Sequence, residues 1–237
     1  MLGFDNKVIL VTGGSRGIGA ATVTLLKDLG AKVAYIDRSI LELPGALPLQ
    51  ADVTDARAMV EAVQRVEREF GPIYGVVANA GVNEDNLLQK LTADQWQAVI
   101  DVNLTGVFNT IKPIIPLMYE RRAGAMVFIG SVVGEQGNIG QANYAASKAA
   151  LIGLAKAIAL EGARYGVRAN VVAPGFTETA MLEAIPDHIR AKILETIPLR
   201  RFGKPEEIAW GVAYLLSPVA GSYVSGTTLS INGGRHT

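Results

Sequence analysis

Six short apolar runs, at residues 8–11, 33–36, 75–78, 126–129, 169–173 and 228–231, with a weaker seventh near 47–51, constrain this chain more than any other feature. The first four are apolar throughout rather than alternating, the pattern of strands covered on both faces. The stretches between them are long enough to hold crossover helices, which parallel neighbours require. Two of those stretches open with recognisable helix starts. Thr92 and Gln95 have the spacing of a capping box, and Lys204 is followed by Pro205, Glu206 and Glu207, which puts proline and two acids in a first turn. The expected class is therefore α/β, a parallel sheet with helices on both faces. A chain of 237 residues with 49% hydrophobic content can bury one large core, and no Pro, Ser or charge run divides it, so residues 1–237 are read as a single domain.

In such a sheet ligands bind beyond the carboxyl ends of the strands, where the winding reverses. The first apolar run leads into a loop of this kind. Residues 12–19 place Gly13, Gly17 and Gly19 around Ser15, Arg16 and Ile18, in the spacing Gly-x-x-x-Gly-x-Gly. Glycines there permit a tight turn, a close approach of backbone to a pyrophosphate, and packing at a helix N-terminus. This predicts a dinucleotide site. The second run ends at Asp37, whose carboxylate can accept both hydroxyls of an adenosine ribose and so points to NADH. Arg16 and Arg38 have guanidinium groups suited to a 2′-phosphate and keep NADPH open.

Ser131 closes the fifth run, and thirteen residues later Tyr144 stands four residues before Lys148. On a helix that spacing puts phenol and ammonium on one face, where the Lys148 charge is expected to favour phenolate and lower the phenol's pKa toward neutrality. Such a phenol can exchange a proton at physiological pH. By itself, a Tyr and a Lys four residues apart describe an ordinary helix surface; the glycine loop and Ser131 give the pair its chemistry.

Other classes are disfavoured. With 22 basic and 22 acidic residues, the chain has no electrostatic footprint for nucleic acid or an anionic membrane. The lack of cysteine excludes thiolate chemistry, and the two histidines, His188 and His236, form no ligand cluster, so no metal is expected. The most apolar long segment, 145–163, is interrupted by Lys148, Lys156 and Glu161, and residues 1–7 have no leader pattern. A cytoplasmic protein without a membrane span is the expectation.

Taken together, the glycine loop, Asn79, Ala80 and Gly81, Asn103, Ser131, Tyr144-x-x-x-Lys148 and Pro174-Gly175 resemble the short-chain dehydrogenase/reductase family over nearly the whole chain. Within it, the sequences around Ser131, Tyr144 and residues 170–176 are similar to 3-oxoacyl-thioester reductases. Residues 162–170 and 197–208 are closer still to acetoacetyl-CoA reductases of polyhydroxyalkanoate synthesis. The resemblance implies a Rossmann-type doubly wound sheet and NAD(P)H-dependent reduction of a 3-oxoacyl thioester of coenzyme A or of acyl-carrier protein. It leaves open another alcohol or ketone as substrate, such as a sugar, steroid or diol, and more remotely a non-catalytic dinucleotide sensor.

By the same resemblance Tyr144 protonates the substrate carbonyl, Ser131 hydrogen-bonds it, Lys148 holds the nicotinamide ribose, and Asn103 positions a water that links Lys148 to solvent. Asp52 and Val53 are implied at the adenine, Asn79, Ala80 and Gly81 on the adenosine side, and Pro174, Gly175 and Thr177 at the nicotinamide. Asp52 also suits a helix cap with Thr54. Gln141 is implied at the substrate mouth, and residues 176–186 at a segment that closes over substrate. Arg121 and Arg122 match one half of a basic patch that docks a carrier protein, but the other half, before Gly166, is Tyr165, which favours coenzyme A. A homotetramer is implied too, with Ala149, Ala150, Gly153, Ala155, Ala157 and Ala159 permitting close packing of the Tyr144 helix.

Overall fold

All seven apolar runs form strands: β1 (Val8–Thr12), β2 (Lys32–Asp37), β3 (Leu47–Gln50), β4 (Ile73–Ala78), β5 (Gly124–Ile129), β6 (Val167–Pro174) and β7 (Thr228–Ile231). These come from a computed structural model that describes residues 2–183 and 186–237. They make one sheet in the order β3-β2-β1-β4-β5-β6-β7, and every neighbouring pair is parallel. Every residue of β1 and of β5 is buried, as their unbroken apolar character requires. The chain winds outward from β1 to β3, returns, and winds the other way from β4 to β7. The reversal lies between β1 and β4, which opens a crevice at their carboxyl ends.

The helices are α1 (Gly17–Asp28), α2 (Ala56–Glu69), α3 (Ala93–Ile100), α4 (Gly106–Ile111), α5 (Ile115–Arg121), α6 (Val132–Gln136), α7 (Ala142–Gly162), α8 (Ala180–Glu183), α9 (Asp187–Glu195) and α10 (Pro205–Leu216). Side chains alternate across a strand, so adjacent residues feed different cores. Ile9, Val11 and Tyr35 pack with Val23 and Leu26 of α1 and Val212 and Leu216 of α10. Leu10 and Ile36 pack on the other face with Met59 and Val63 of α2, Ile111 of α4, Met118 of α5 and Leu151 and Ile158 of α7. A fully buried side chain of this size contributes about 1.5–3 kcal/mol, so two such layers fix the sheet between its helices.

Both expected helix starts are present. Thr92 and Gln95 form a reciprocal capping box. At α10 the Glu207 carboxylate accepts from Lys204 N at 2.8 Å. Helix α2 corrects the sequence reading: its cap is Asp55, which accepts from Arg57 N and Ala58 N, whereas Asp52 bonds only to Thr54. The small residues of α7 also divide. Ala155 and Ala159 are buried within the subunit, while Ala149, Gly153 and Ala157 face outward, so only part of the expected packing surface is available to another chain.

Candidate active site

The glycine loop joins β1 to α1 at the reversal of winding. Gly13 N donates to Ile36 O, and Gly13 and Gly17 take positive φ angles of 63° and 52°. A Cβ on Gly19 would collide with the Gly13 carbonyl, so the turn closes only around glycine. Asn79, at the end of β4, fastens this loop: its Nδ2 donates to Thr12 O and Gly13 O, while Asn79 N and Ala80 N donate to Thr12 Oγ1. The first turn of α1 carries no acidic side chain, which leaves its N-terminal amides free for an anion.

A cleft of about 510 Å³ runs from here along the strand ends. Of the expected cofactor residues, Gly13, Arg16, Gly17, Ile18, Asp37, Arg38, Asp52, Val53, Asn79, Ala80, Gly81, Tyr144, Lys148, Pro174, Gly175 and Thr177 line it. Ser15 and Gly19 do not. Ser15 is buried with its hydroxyl accepting from Leu41 N, and it reaches the site only through its backbone, which donates to Asp37 Oδ2 at 3.1 Å. Arg38 lies 3.9 Å from the Asp52 carboxylate but stays largely in solvent, a separation and exposure that make the pair weak. Burial raises the Asp52 carboxyl, but bonds from Thr54 and the Arg38 charge outweigh it and hold the group below its ordinary range. Val53 is fixed by Asn109, whose Nδ2 donates to its carbonyl at 3.0 Å. No local pattern points to Asn109, because its partner is 56 residues away.

At the other end stand the reacting groups. Ser131 leaves β5 and caps α6, its Oγ accepting from Val133 N at 3.1 Å. That bond uses a lone pair and leaves the hydroxyl proton free to be donated. Tyr144 lies in the first turn of α7, and Lys148 one turn on puts Nζ 5.6 Å from the Tyr144 ring centroid. Lys148 is buried and donates to Ile129 O at 2.7 Å. Gly81 passes beside it: a Cβ there would stand 3.4 Å from Nζ and 3.3 Å from Asn103 Oδ1.

The expected electrostatics require a correction. Burial pushes the Tyr144 phenol up, a hydrogen bond with Ser131 acts against it, and Asp85 raises it further. Burial also lowers Lys148 to about 8. Loss of water around both groups therefore outweighs the ammonium's pull on the phenol.

Asn103 is placed by a π-helical turn, Asp101–Thr105, between α3 and α4. Its Oδ1 accepts from Val82 N, and its Nδ2 donates to Val82 O and to Ser147 Oγ. Its side chain is thus spent on tying the loop after β4 to α7, and it does not line the cleft.

A glycine loop at the winding reversal, with Ser131, Tyr144 and Lys148 converging at the far end of the same cleft, is an oxidoreductase arrangement, and a model of the short chain dehydrogenase family matches residues 7–190. The chain is a short-chain dehydrogenase. It is 58% identical over its whole length to an acetoacetyl-CoA reductase of Synechocystis sp., covering 99% of that protein. It is 44% identical to a 3-oxoacyl-[acyl-carrier-protein] reductase of Salmonella typhimurium, with 99% of each chain covered. An acetoacetyl-CoA reductase of Shinella zoogloeoides is also 44% identical, over 97% of this chain and 98% of its own.

In this short-chain dehydrogenase the cleft is also lined by Asn83, Asp85 and Gln141 and by Phe176, Thr179 and Leu182. Gln141 does not stand free to meet a substrate as expected. Its Nε2 donates to both oxygens of Asp85, at 3.0 and 3.1 Å, and its Oε1 accepts from Asn138. Asn143, fully buried and not singled out from the sequence, accepts from Tyr144 N and donates to Glu84 O and Gln95 O. The segment expected to close over substrate contributes Phe176, Thr177, Thr179, Ala180 and Leu182 to the cleft, and its residues 184 and 185 lie outside the described residues. No helix among the described residues is long and apolar enough to cross a membrane.

Proposed function

We propose that this dehydrogenase reduces 3-oxoacyl thioesters, acetoacetyl-CoA in particular, to 3-hydroxyacyl thioesters with NAD(P)H. The observation that carries the reading is the full-length similarity to acetoacetyl-CoA reductases, borne by a cleft with a dinucleotide loop at one end and Ser131, Tyr144 and Lys148 at the other. A reduced nicotinamide, held by the glycine loop, Asp37 and Lys148, would supply hydride to the 3-oxo carbon. Tyr144 then gives its phenolic proton to the carbonyl oxygen, and the raised phenol pKa keeps that proton on hand. Ser131, its lone pair already taken by Val133 N, donates to the same oxygen as charge grows on it. Lys148 holds the nicotinamide ribose; with a pKa near 8 it retains its proton at neutral pH and can pass it to the phenolate. Asn103 is assigned the upkeep of this arrangement through Val82 and Ser147.

Coenzyme A is favoured over carrier protein. Arg121 is neutralised by the Glu67 carboxylate and Tyr165 stacks on Tyr119 at 4.3 Å, so of the expected basic patch only Arg122, which donates to Arg164 O, keeps its charge for an acidic partner. NADH is favoured over NADPH, because the Asp37 carboxylate repels a 2′-phosphate and Arg38 already neighbours Asp52. The test is steady-state oxidation of NADH and of NADPH with acetoacetyl-CoA. Turnover is expected with both, and more efficiently with NADH. Cofactor binding without turnover would move the reading to another carbonyl substrate.

A further inference from the structure

We propose that Asp85 is a positioning residue for the acid: its carboxylate, clamped by Gln141, holds the Tyr144 phenol in its protonated form and biases the site toward proton donation. The inference rests on the proposed role of Tyr144 as proton donor. Gln141 immediately precedes α7, and Tyr144 lies in the first turn of that helix. Gln141 grips both Asp85 oxygens, Asn83 Nδ2 reaches Asp85 Oδ1 at 3.3 Å, and Asn86 N donates to Gly140 O at 2.8 Å. Asn143 adds its bonds to Glu84 O and Tyr144 N. Four contacts thus lock an otherwise exposed loop, carboxylate included, against the turn that carries the phenol.

The charges around that phenol come from few elements. Lys148, on the same helix, is the cation. On α6, Glu135 is bonded to Ser230 Oγ. Asp94 begins α3 at the surface, and Asp101 of the π-turn accepts from Gln97. Glu84 contributes its main chain to Asn143, and Asp85 is the carboxylate that lines the same cleft as Tyr144 and is bonded to Gln141, three residues before it. A fixed carboxylate disfavours phenolate, in agreement with the upward push that Asp85 gives the phenol. Reduction needs the neutral phenol and oxidation needs the phenolate, so the charge acts oppositely on the two directions at a given pH.

The test is Asp85→Asn, which keeps an acceptor for Gln141 and removes the charge. The phenol's own ionisation is expected to move down by roughly half to one pH unit, carrying with it the rising limb of kcat/KM for 3-hydroxybutyryl-CoA oxidation, whereas in acetoacetyl-CoA reduction Lys148 loses its proton first and the phenol shows only in the limb above that step. Ultraviolet titration of tyrosinate, taken as the difference from a Tyr144→Phe protein in each background, reads the same shift without substrate. Unmoved limbs and an unmoved titration would overturn the proposal, as would activity lowered equally at every pH. Should Tyr144→Phe retain turnover, the proposed role of Tyr144 fails, and the substrate-free titration still decides what Asp85 does to the phenol.

Discussion

Asp37 accepts one hydrogen bond at each carboxylate oxygen, from Ser15 N at 3.1 Å and Ser39 N at 3.2 Å, so the group stands fixed at the end of β2 with lone pairs to spare for two ribose hydroxyls. Its place was legible in the sequence, because an acid ending the second apolar run can lie nowhere else in a doubly wound sheet. The partner of Arg38 was not legible: Asp52 follows β3, and only the pairing of β2 with β3 brings the two together. Asp37→Ala is expected to weaken NADH binding by about tenfold, the worth of one or two hydrogen bonds to a charged acceptor, while NADPH holds or improves. Dissociation constants for the two coenzymes, measured by quenching of protein fluorescence, check this. An unchanged ratio would assign the preference to Arg16 and Arg38.

Among the elements, strands were read well and irregular turns were not. Unbroken apolar runs have few other uses in a chain of this size, so even the weak run near residue 47 becomes β3. The π-turn at Asp101–Thr105 leaves no such trace, since one wider turn within a helix disturbs the apolar period by a single residue. Nor could local reading find Asn143, whose Nδ2 reaches Glu84 O across 59 residues. The π-turn has a measurable consequence. Asn103 is fully buried and satisfies Val82 N, Val82 O and Ser147 Oγ at once. Truncation to alanine strands Val82 N and Val82 O, at about 1–3 kcal/mol for each one left unpaired, while Ser147 Oγ keeps its bond to Tyr144 O. Asn103→Ala is therefore expected to lose about 2–4 kcal/mol in urea unfolding, with turnover falling as α7 loses its tie. Full stability in that variant would show that the two Val82 groups find other partners.

The whole molecule carries a surface that its own fold does not use. One face of α7 packs on the sheet through Leu151, Ala155 and Ile158, yet the opposite face presents Ala149, Gly153 and Ala157 around a single charge, the exposed Lys156, and ends in Leu160, which is 82% exposed. A solvent-facing helix surface is ordinarily polar, and Phe108 on α4, which covers the same side of the sheet, is also exposed. Small residues allow a second helix to approach closely, and in a symmetric dimer the same face meets itself. We expect self-association through this face, within the homotetramer implied by family resemblance. Leu160→Glu then puts a charge into an otherwise apolar part of that contact. Sedimentation is expected to give four chain masses for the parent protein and a smaller species for the variant. Leu160 lies sixteen residues from Tyr144 on the same helix, about 24 Å at 1.5 Å per residue, so the substitution leaves the reacting groups untouched. Turnover kept in the smaller species would mean that the cleft is complete in fewer chains, and turnover lost would mean that α7 needs its neighbour to hold Tyr144 and Lys148 in register. A parent protein sedimenting as a single chain would rule out this face as an assembly surface.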